Sequence, residues 1–199
     1  MTREAYRKRL SGARVGIAGC GGLGSNCAAA LARAGVGHLV FADFDTVSEA
    51  NLDRQFFFRD QVGRPKAECL AENLLRIDRS LDIQALNRRL DPDGIVDLFG
   101  ACDVVVEAFD AADQKAMIIE TVLSRMKGTW LVAASGLAGY GRDSALGLHV
   151  SGRLVLCGDL ESEVGADRPP MAPRVGIVAN MEADAVVSIL LDGGIGASA

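Results

Sequence analysis

The sequence has no pair of cysteines two residues apart. Its five cysteines, Cys20, Cys27, Cys69, Cys102 and Cys157, are odd in number and widely spaced. Neither a disulfide framework nor a zinc site of the Cys-pair type is therefore expected, so no zinc is assigned. Histidine is nearly absent: His38 and His149 stand alone and read as surface or core residues, not metal ligands. No stretch approaches the ~20 apolar residues of a membrane span. The opening MTREAYRKRL lacks the apolar segment of a signal peptide, so no membrane contact and a cytoplasmic location are expected. Positive charge is not in excess: the net charge of −5 argues against a dedicated nucleic-acid partner. It leaves a small acidic ligand open, because local clusters such as Arg54 with Lys66 decide that question.

What is present is an ordinary globular composition, 49% hydrophobic and 24% charged over 199 residues. That is enough for one domain with a full core. The informative stretch is residues 14–55. An apolar run at 15–18 enters a glycine cluster, Gly19, Gly21, Gly22 and Gly24. A helix of small residues comes next, from Ser25 to about Ala34, and a second apolar run at 38–42 ends at Asp43. Gly19, Gly21 and Gly24 fit G-x-G-x-x-G between a strand and a helix. Asp43 stands where an acid reaches ribose hydroxyls, so this is the first unit of a nucleotide-binding α/β domain. The helix N-terminus directs N–H groups and a positive dipole end at phosphate.

The polar set beyond Asp43 is denser than a dinucleotide binder needs. Asp45, Asn51, Arg54 and Gln55 come just past the strand, and Lys66 soon after in Gly-Arg-Pro-Lys. Cations and amides beside a phosphate turn point to chemistry on the phosphates, where hydride transfer would require none.

G-C-G-G-L-G, D-F-D-x-V, N-L-D-R-Q and G-R-P-K, in this order and spacing, resemble the adenylation domain of the ThiF/MoeB/HesA family, bacterial relatives of ubiquitin-activating enzymes. The resemblance runs from about Ser11 to about Leu191. E-A-F-D, A-A-S-G-x-A-G-Y-G and M-A-P-R-V-G-I, at 107–110, 133–141 and 171–177, are similar to short ThiF-type proteins of thiamine biosynthesis. The fold so implied is a single Rossmann-like domain over 1–199, a mostly parallel sheet with helices on both faces and a C-terminal antiparallel portion. A charged N-terminal helix over 1–10 and a flexible tail over 192–199 complete it.

The remaining chain is read from its pattern. A loop with one helical turn covers 46–62, where Phe56, Phe57 and Phe58 are expected to pack, with some share in a dimer contact. A helix at 65–78 opens with Pro65, and Lys66 in its first turn is unfavourable to the dipole. Strand 83–86, helix 94–99 and a buried parallel strand at 104–108 come next. Asp110, at the carboxyl end of that strand, sits where open α/β sheets bind ligands. It or Asp113 is also expected to cap the helix at 111–125. Strand 130–134, a hairpin at 146–157 turning at Ser151-Gly152, a polar loop at 159–173 and an apolar helix at 175–191 close the fold. Asp159, Glu161 and Glu163 read as a solvated loop, not a metal site.

The resemblance implies a reaction in which a carboxylate attacks the α-phosphate of ATP. By matched position, Gly22 lies at the phosphate turn, Asp43 on the ribose, and Asn51, Arg54 and Lys66 around the phosphates. Asp110 holds Mg²⁺, and Gln55 makes a less securely assigned polar contact. The family often carries Asn after this acid; here it is Ala111. In the family an N-terminal arginine reaches the ATP site of the other subunit of a homodimer, and none of Arg3, Arg7 or Arg9 is singled out for it. The implied partners are a ThiS-like sulfur carrier and a persulfide sulfur donor. Cys157 reads as a hairpin core residue in preference to a reactive thiol. Other readings are activation of a molybdopterin-type carrier, a tRNA-modifying dehydratase, an NAD-binding oxidoreductase and a non-catalytic nucleotide-binding module.

Overall fold

The structure is a computed structural model and describes residues 2–141 and 143–196. Thirteen elements succeed one another: α1 (Arg3–Ser11), β1 (Arg14–Ala18), α2 (Gly22–Ala34), β2 (His38–Ala42), α3 (Lys66–Leu75), β3 (Asp82–Leu86), α4 (Pro92–Phe99), β4 (Val104–Glu107), α5 (Ala112–Arg125), β5 (Trp130–Ala134), β6 (Gly147–Ser151), β7 (Leu154–Gly158) and α6 (Ala172–Asp192). The strands form one sheet in the order β3-β2-β1-β4-β5-β7-β6. Every pair is parallel except the β6–β7 hairpin. This is the Rossmann-like arrangement with an antiparallel edge read from the sequence.

The β-branched run of β4 shows why the sheet is central. Val104 and Val106 enter one core with α2, α3 and α6, while Val105 enters a second with α4 and α5. A strand covered on both faces is apolar at successive positions, without alternation. On the first face α6 packs along α2, whose alanines let the helices approach closely.

The chain leaves β1 toward β2 and β3 on one side, and returns to β4 and β5 on the other. Ligands bind outside the carboxyl ends of the strands at such a reversal. Ala18 pairs with Ala42 of β2 and with Glu107 of β4, so Gly19, Asp43 and Ala108 leave the sheet side by side.

Several boundaries differ from the sequence expectation. Helix α2 begins at Gly22, not Ser25, so Gly22 and Gly24 lie within its first turn. Helix α3 ends at Leu75, short of Asp78. Helix α6 begins at Ala172, because a proline lacking an N–H is tolerated in a first turn. It is not uniformly apolar either, since it buries Arg174 and Glu182. Neither Asp110 nor Asp113 caps α5; its N-cap is Ala111, with no side-chain hydrogen bond. Asp113 instead accepts from the N–H of Gln114 at 2.9 Å. Of the tail at 192–199, Asp192 closes α6 and the Gly194 carbonyl accepts from the Ser188 hydroxyl at 3.3 Å. Residues 197–199 lie outside the described residues.

Candidate active site

The glycine turn is shaped by close approach. Gly19 has φ +99°, and a Cβ there would lie 2.6 Å from the carbonyl oxygen of Ala108. A Cβ at Gly24 would fall 1.9 Å from the carbonyl oxygen of Gly19. Both positions exclude any side chain, which holds the start of α2 against the ends of β1 and β4.

Asp43 is fixed before any ligand arrives. Its Oδ2 accepts from the Cys20 N–H and its Oδ1 from the Asp45 N–H, each at 2.7 Å. Burial pushes its carboxyl up from the ordinary value, against those two donors and the charge of Lys66, which favour the ionised form. Lys66 approaches from α3, and its Nζ lies 2.9 Å from Asp45 Oδ2. Gly19, Gly21, Asp43, Lys66 and Asp110 line one cleft.

A second cleft adjoins the first across Ala108, Phe109 and Asp110, and its wall includes Gly22, Arg54 and Gln55. The segment carrying Arg54 and Gln55 is pinned to α2 by two side chains that sequence reasoning passed over. Asn26 Nδ2 donates to the carbonyls of Gly22 at 2.7 Å and Arg54 at 2.9 Å. Ser25 Oγ accepts from the Phe56 N–H at 3.0 Å. Arg54 itself donates to Asp53 at 2.7 Å and to the Ala50 carbonyl at 3.1 Å. A Cβ at Gly21 would lie 3.9 Å from Gln55 Nε2 and 4.0 Å from Asp110 Oδ1, so these two side chains flank the turn.

Gly24 and Asn51 are not among the wall residues of either cleft. Gly24 lies behind the turn, and Asn51 Oδ1 accepts from the Ser48 N–H at 3.0 Å, closing the short turn over Glu49–Asn51. Of the three phenylalanines, Phe57 is buried, and exposed Phe58 meets Phe56 edge-on with ring centroids 5.8 Å apart.

Other wall residues came into view only with the strand order. Phe44, Arg88 and Leu90 join Asp43 on the first cleft, and Arg89 lies 4.8 Å above the Phe44 ring. Lys115, Leu137, Pro170 and Val175 line the second. Glu107, at the end of β4, is buried, and both its oxygens accept from Lys115, at 3.1 and 2.9 Å. Burial raises its carboxyl, against Lys115 and the Phe109 N–H.

The acidic stretch after β7 divides, which corrects the solvated-loop reading for one of its members. Glu161 and Glu163 are exposed, but Asp159 is buried and pairs with Arg174 Nη2 at 2.7 Å. Burial works to raise the Asp159 carboxyl. The hydroxyl and N–H of Ser162, the Glu161 N–H and Arg174 outweigh it and bring it down to about 2.

Among the described residues no three His, Cys, Asp or Glu side chains converge on a metal position. Mg²⁺ does not need such a group, since it keeps waters and is held by one or two carboxylates together with substrate phosphates. Exposed Asp110, shared by both clefts, suits that role. All five cysteines are buried. Burial and the nearby Glu182 push the Cys157 thiol far up, the opposite of what a nucleophilic thiol requires.

The sequence model of the ThiF family matches residues 1–195. The chain belongs to the ThiF family. This ThiF-family chain is 42% identical over 105 residues to a molybdopterin-synthase adenylyltransferase of Salmonella typhimurium, covering 52% of the chain and 42% of that protein. Over 105 residues it is 37% identical to the sulfur carrier protein ThiS adenylyltransferase of Escherichia coli, with the same two coverages. The chain thus spans about two fifths of the length of these relatives. Among solved structures, the E. coli tRNA N6-threonylcarbamoyladenosine dehydratase bound to ATP superposes with a TM-score of 0.84 at 21% identity. That match covers 94% of this chain and 89% of the other. E. coli MccB with ATP gives 0.70 at 23% identity, covering 93% and 57%. These two likenesses concern the fold.

Proposed function

We propose that this ThiF-family protein is an ATP-dependent adenylyltransferase. It activates the C-terminal glycine carboxylate of a ThiS-like ubiquitin-fold sulfur carrier, for thiocarboxylate formation in thiamine biosynthesis. The observation that carries the reading is the paired cleft. A preset acid, Asp43, and a buried lysine, Lys66, stand on one side of Asp110, with Arg54 and Gln55 on the other. A ribose-binding acid alone would suit many nucleotide proteins. Cations on both sides of a shared carboxylate suit a site where a second anion meets a triphosphate.

A carboxylate is a weak nucleophile and is repelled by phosphate. The site therefore has to neutralise charge and hold the reactants in line. Asp43 takes the ribose hydroxyls. The turn at Gly21 and Gly22, with the start of α2, offers N–H groups to phosphate. Lys66 and Arg54 offset the phosphate charge from opposite sides. Asp110 would hold Mg²⁺, which supplies charge neutralisation on the phosphate oxygens when bound. The homodimer, the persulfide donor and the cytoplasmic setting belong to this reading.

The 42% identity to a molybdopterin-synthase adenylyltransferase favours a second reading, in which the carrier belongs to molybdopterin synthesis. The deciding experiment is exchange of labelled pyrophosphate into ATP with a panel of small proteins ending in Gly-Gly. Exchange with ThiS is the expected result. Exchange with a molybdopterin-type carrier alone would move the pathway, and ATP binding without exchange on any carrier would overturn the activity.

A further inference from the structure

Lys115 stands in the first turn of α5, where the helix dipole disfavours a cation. Its Nζ is held by both oxygens of Glu107, and a third contact fixes the acid, whose Oε1 accepts from the Phe109 N–H at 2.7 Å. The two residues are placed unequally: 1% of the Glu107 side chain is exposed, against 28% of Lys115. The pair is therefore a fixed dipole with its positive end at the wall of the second cleft. An ammonium has three N–H donors, and Glu107 takes two. Around it the wall is partly apolar, with Leu137, Val164 and Pro170, and shares Asp110 with the nucleotide side.

We propose that Lys115 binds the acceptor carboxylate and that Glu107 is its positioning residue. This deepens the adenylyltransferase reading and rests on it. The ligand class is the carboxylate end of an extended polypeptide, whose backbone lies along the apolar wall while its charge meets the free N–H of Lys115. Lys66 serves the nucleotide, and Lys115 serves the incoming anion. An oxygen of the carboxylate forms a bond to the α-phosphorus as the bond to the β-phosphate bridging oxygen breaks. Pyrophosphate leaves with that electron pair, no proton is transferred, and Lys115 keeps all three of its own.

The test uses the whole chain, ATP and E. coli ThiS as the probe. Lys115→Gln alone would leave Glu107 buried and unpaired, so the informative variant is the double change Glu107→Gln with Lys115→Gln. It should bind ATP within about twofold of wild type. Its kcat/KM for ThiS should fall about 10- to 100-fold, the size of one charge-assisted hydrogen bond. Lys115→Arg should recover most of that loss, and Glu107→Gln alone should raise KM for ThiS with ATP affinity unchanged. Wild-type kcat/KM in the double variant would overturn the assignment, as would an equal loss of ATP affinity. If the double variant does not fold, acetylation footprinting of the wild-type chain decides. Lys115 should be protected by ThiS with its free carboxylate and much less by C-terminally amidated ThiS; equal protection would overturn carboxylate recognition. A wild-type chain that binds ATP but exchanges with no carrier removes the adenylyltransferase reading itself, an outcome distinct from an active wild type with an equally active variant.

Discussion

Lys66 brings its ammonium nitrogen to 2.9 Å from Asp45 Oδ2 with 5% of its own side chain exposed, while 48% of the Asp45 side chain remains in solvent. The cation is buried and its partner is not. Removing the lysine therefore strands no ion-pair partner in the interior, in contrast to most buried pairs, and Asp43, which also feels its charge, keeps its two N–H donors. Lys66→Ala should keep the fold, with a melting temperature lowered by a few degrees for a loss of about 1 kcal/mol. Pyrophosphate exchange should fall about 10²- to 10³-fold, the size of a lost donor to developing charge. Near-normal exchange would take Lys66 out of the phosphate site.

Asn26 reaches the site only through other groups, by its hydrogen bonds to the carbonyls of Gly22 and Arg54. Asn26→Ala should lower exchange about 30-fold, since two hydrogen bonds of about 1 kcal/mol each would be lost. Arg54→Ala should lower it further. The decisive number comes from the double variant. If Asn26 acts by placing Arg54, the two effects are not additive, and Asn26→Ala adds little on the Arg54→Ala background. Additive losses would assign Asn26 a separate role.

The first unit of the fold was legible because its signals are local. The glycine spacing, the alanine helix and the acid after the second strand all lie within residues 14–43, and each has its own physical reason. That Lys66 and Asp110 come to one cleft was legible through motif order. Glu107 with Lys115 was not: the strand at 104–108 reads as buried, but nothing in the pattern pairs its acid with a lysine eight residues on. Asp159 was misread for the same reason. Its partner Arg174 lies in an apolar helix 15 residues later, and nothing local distinguishes it from exposed Glu161 and Glu163. Asn26 and Ser25 looked like ordinary small residues of α2. Their acceptor and donor lie on a loop some 30 residues away.

Asp110 is exposed at the junction of both clefts, and no side-chain cap holds it to α5. Asp110→Asn keeps the shape and removes the charge. The Mg²⁺ concentration for half-maximal exchange should rise about tenfold or more, the range seen when a metal site loses a supporting group. ATP binding measured without metal should stay within about twofold. An unchanged Mg²⁺ titration with a reduced rate would leave Asp110 acting on substrate alone.

Glu182 is fully buried on α6, with no hydrogen-bond partner for either oxygen among the described residues. Burial pushes its carboxyl far up, the charge of Glu107 adds to this, and Lys115 opposes it. The folded protein therefore keeps a proton on Glu182 that the unfolded chain releases above about pH 4.3. With more protons bound folded than unfolded, stability is fully present below that value. It is lost as the pH rises toward the folded pKa, at about 1.4 kcal/mol per pH unit from this group. Glu182→Gln has nothing to release. Urea unfolding of both proteins at pH 5, 6.5 and 8 should show the variant gaining on the wild type as the pH rises. A difference that stays constant across that range would mean Glu182 is already ionised in the folded state.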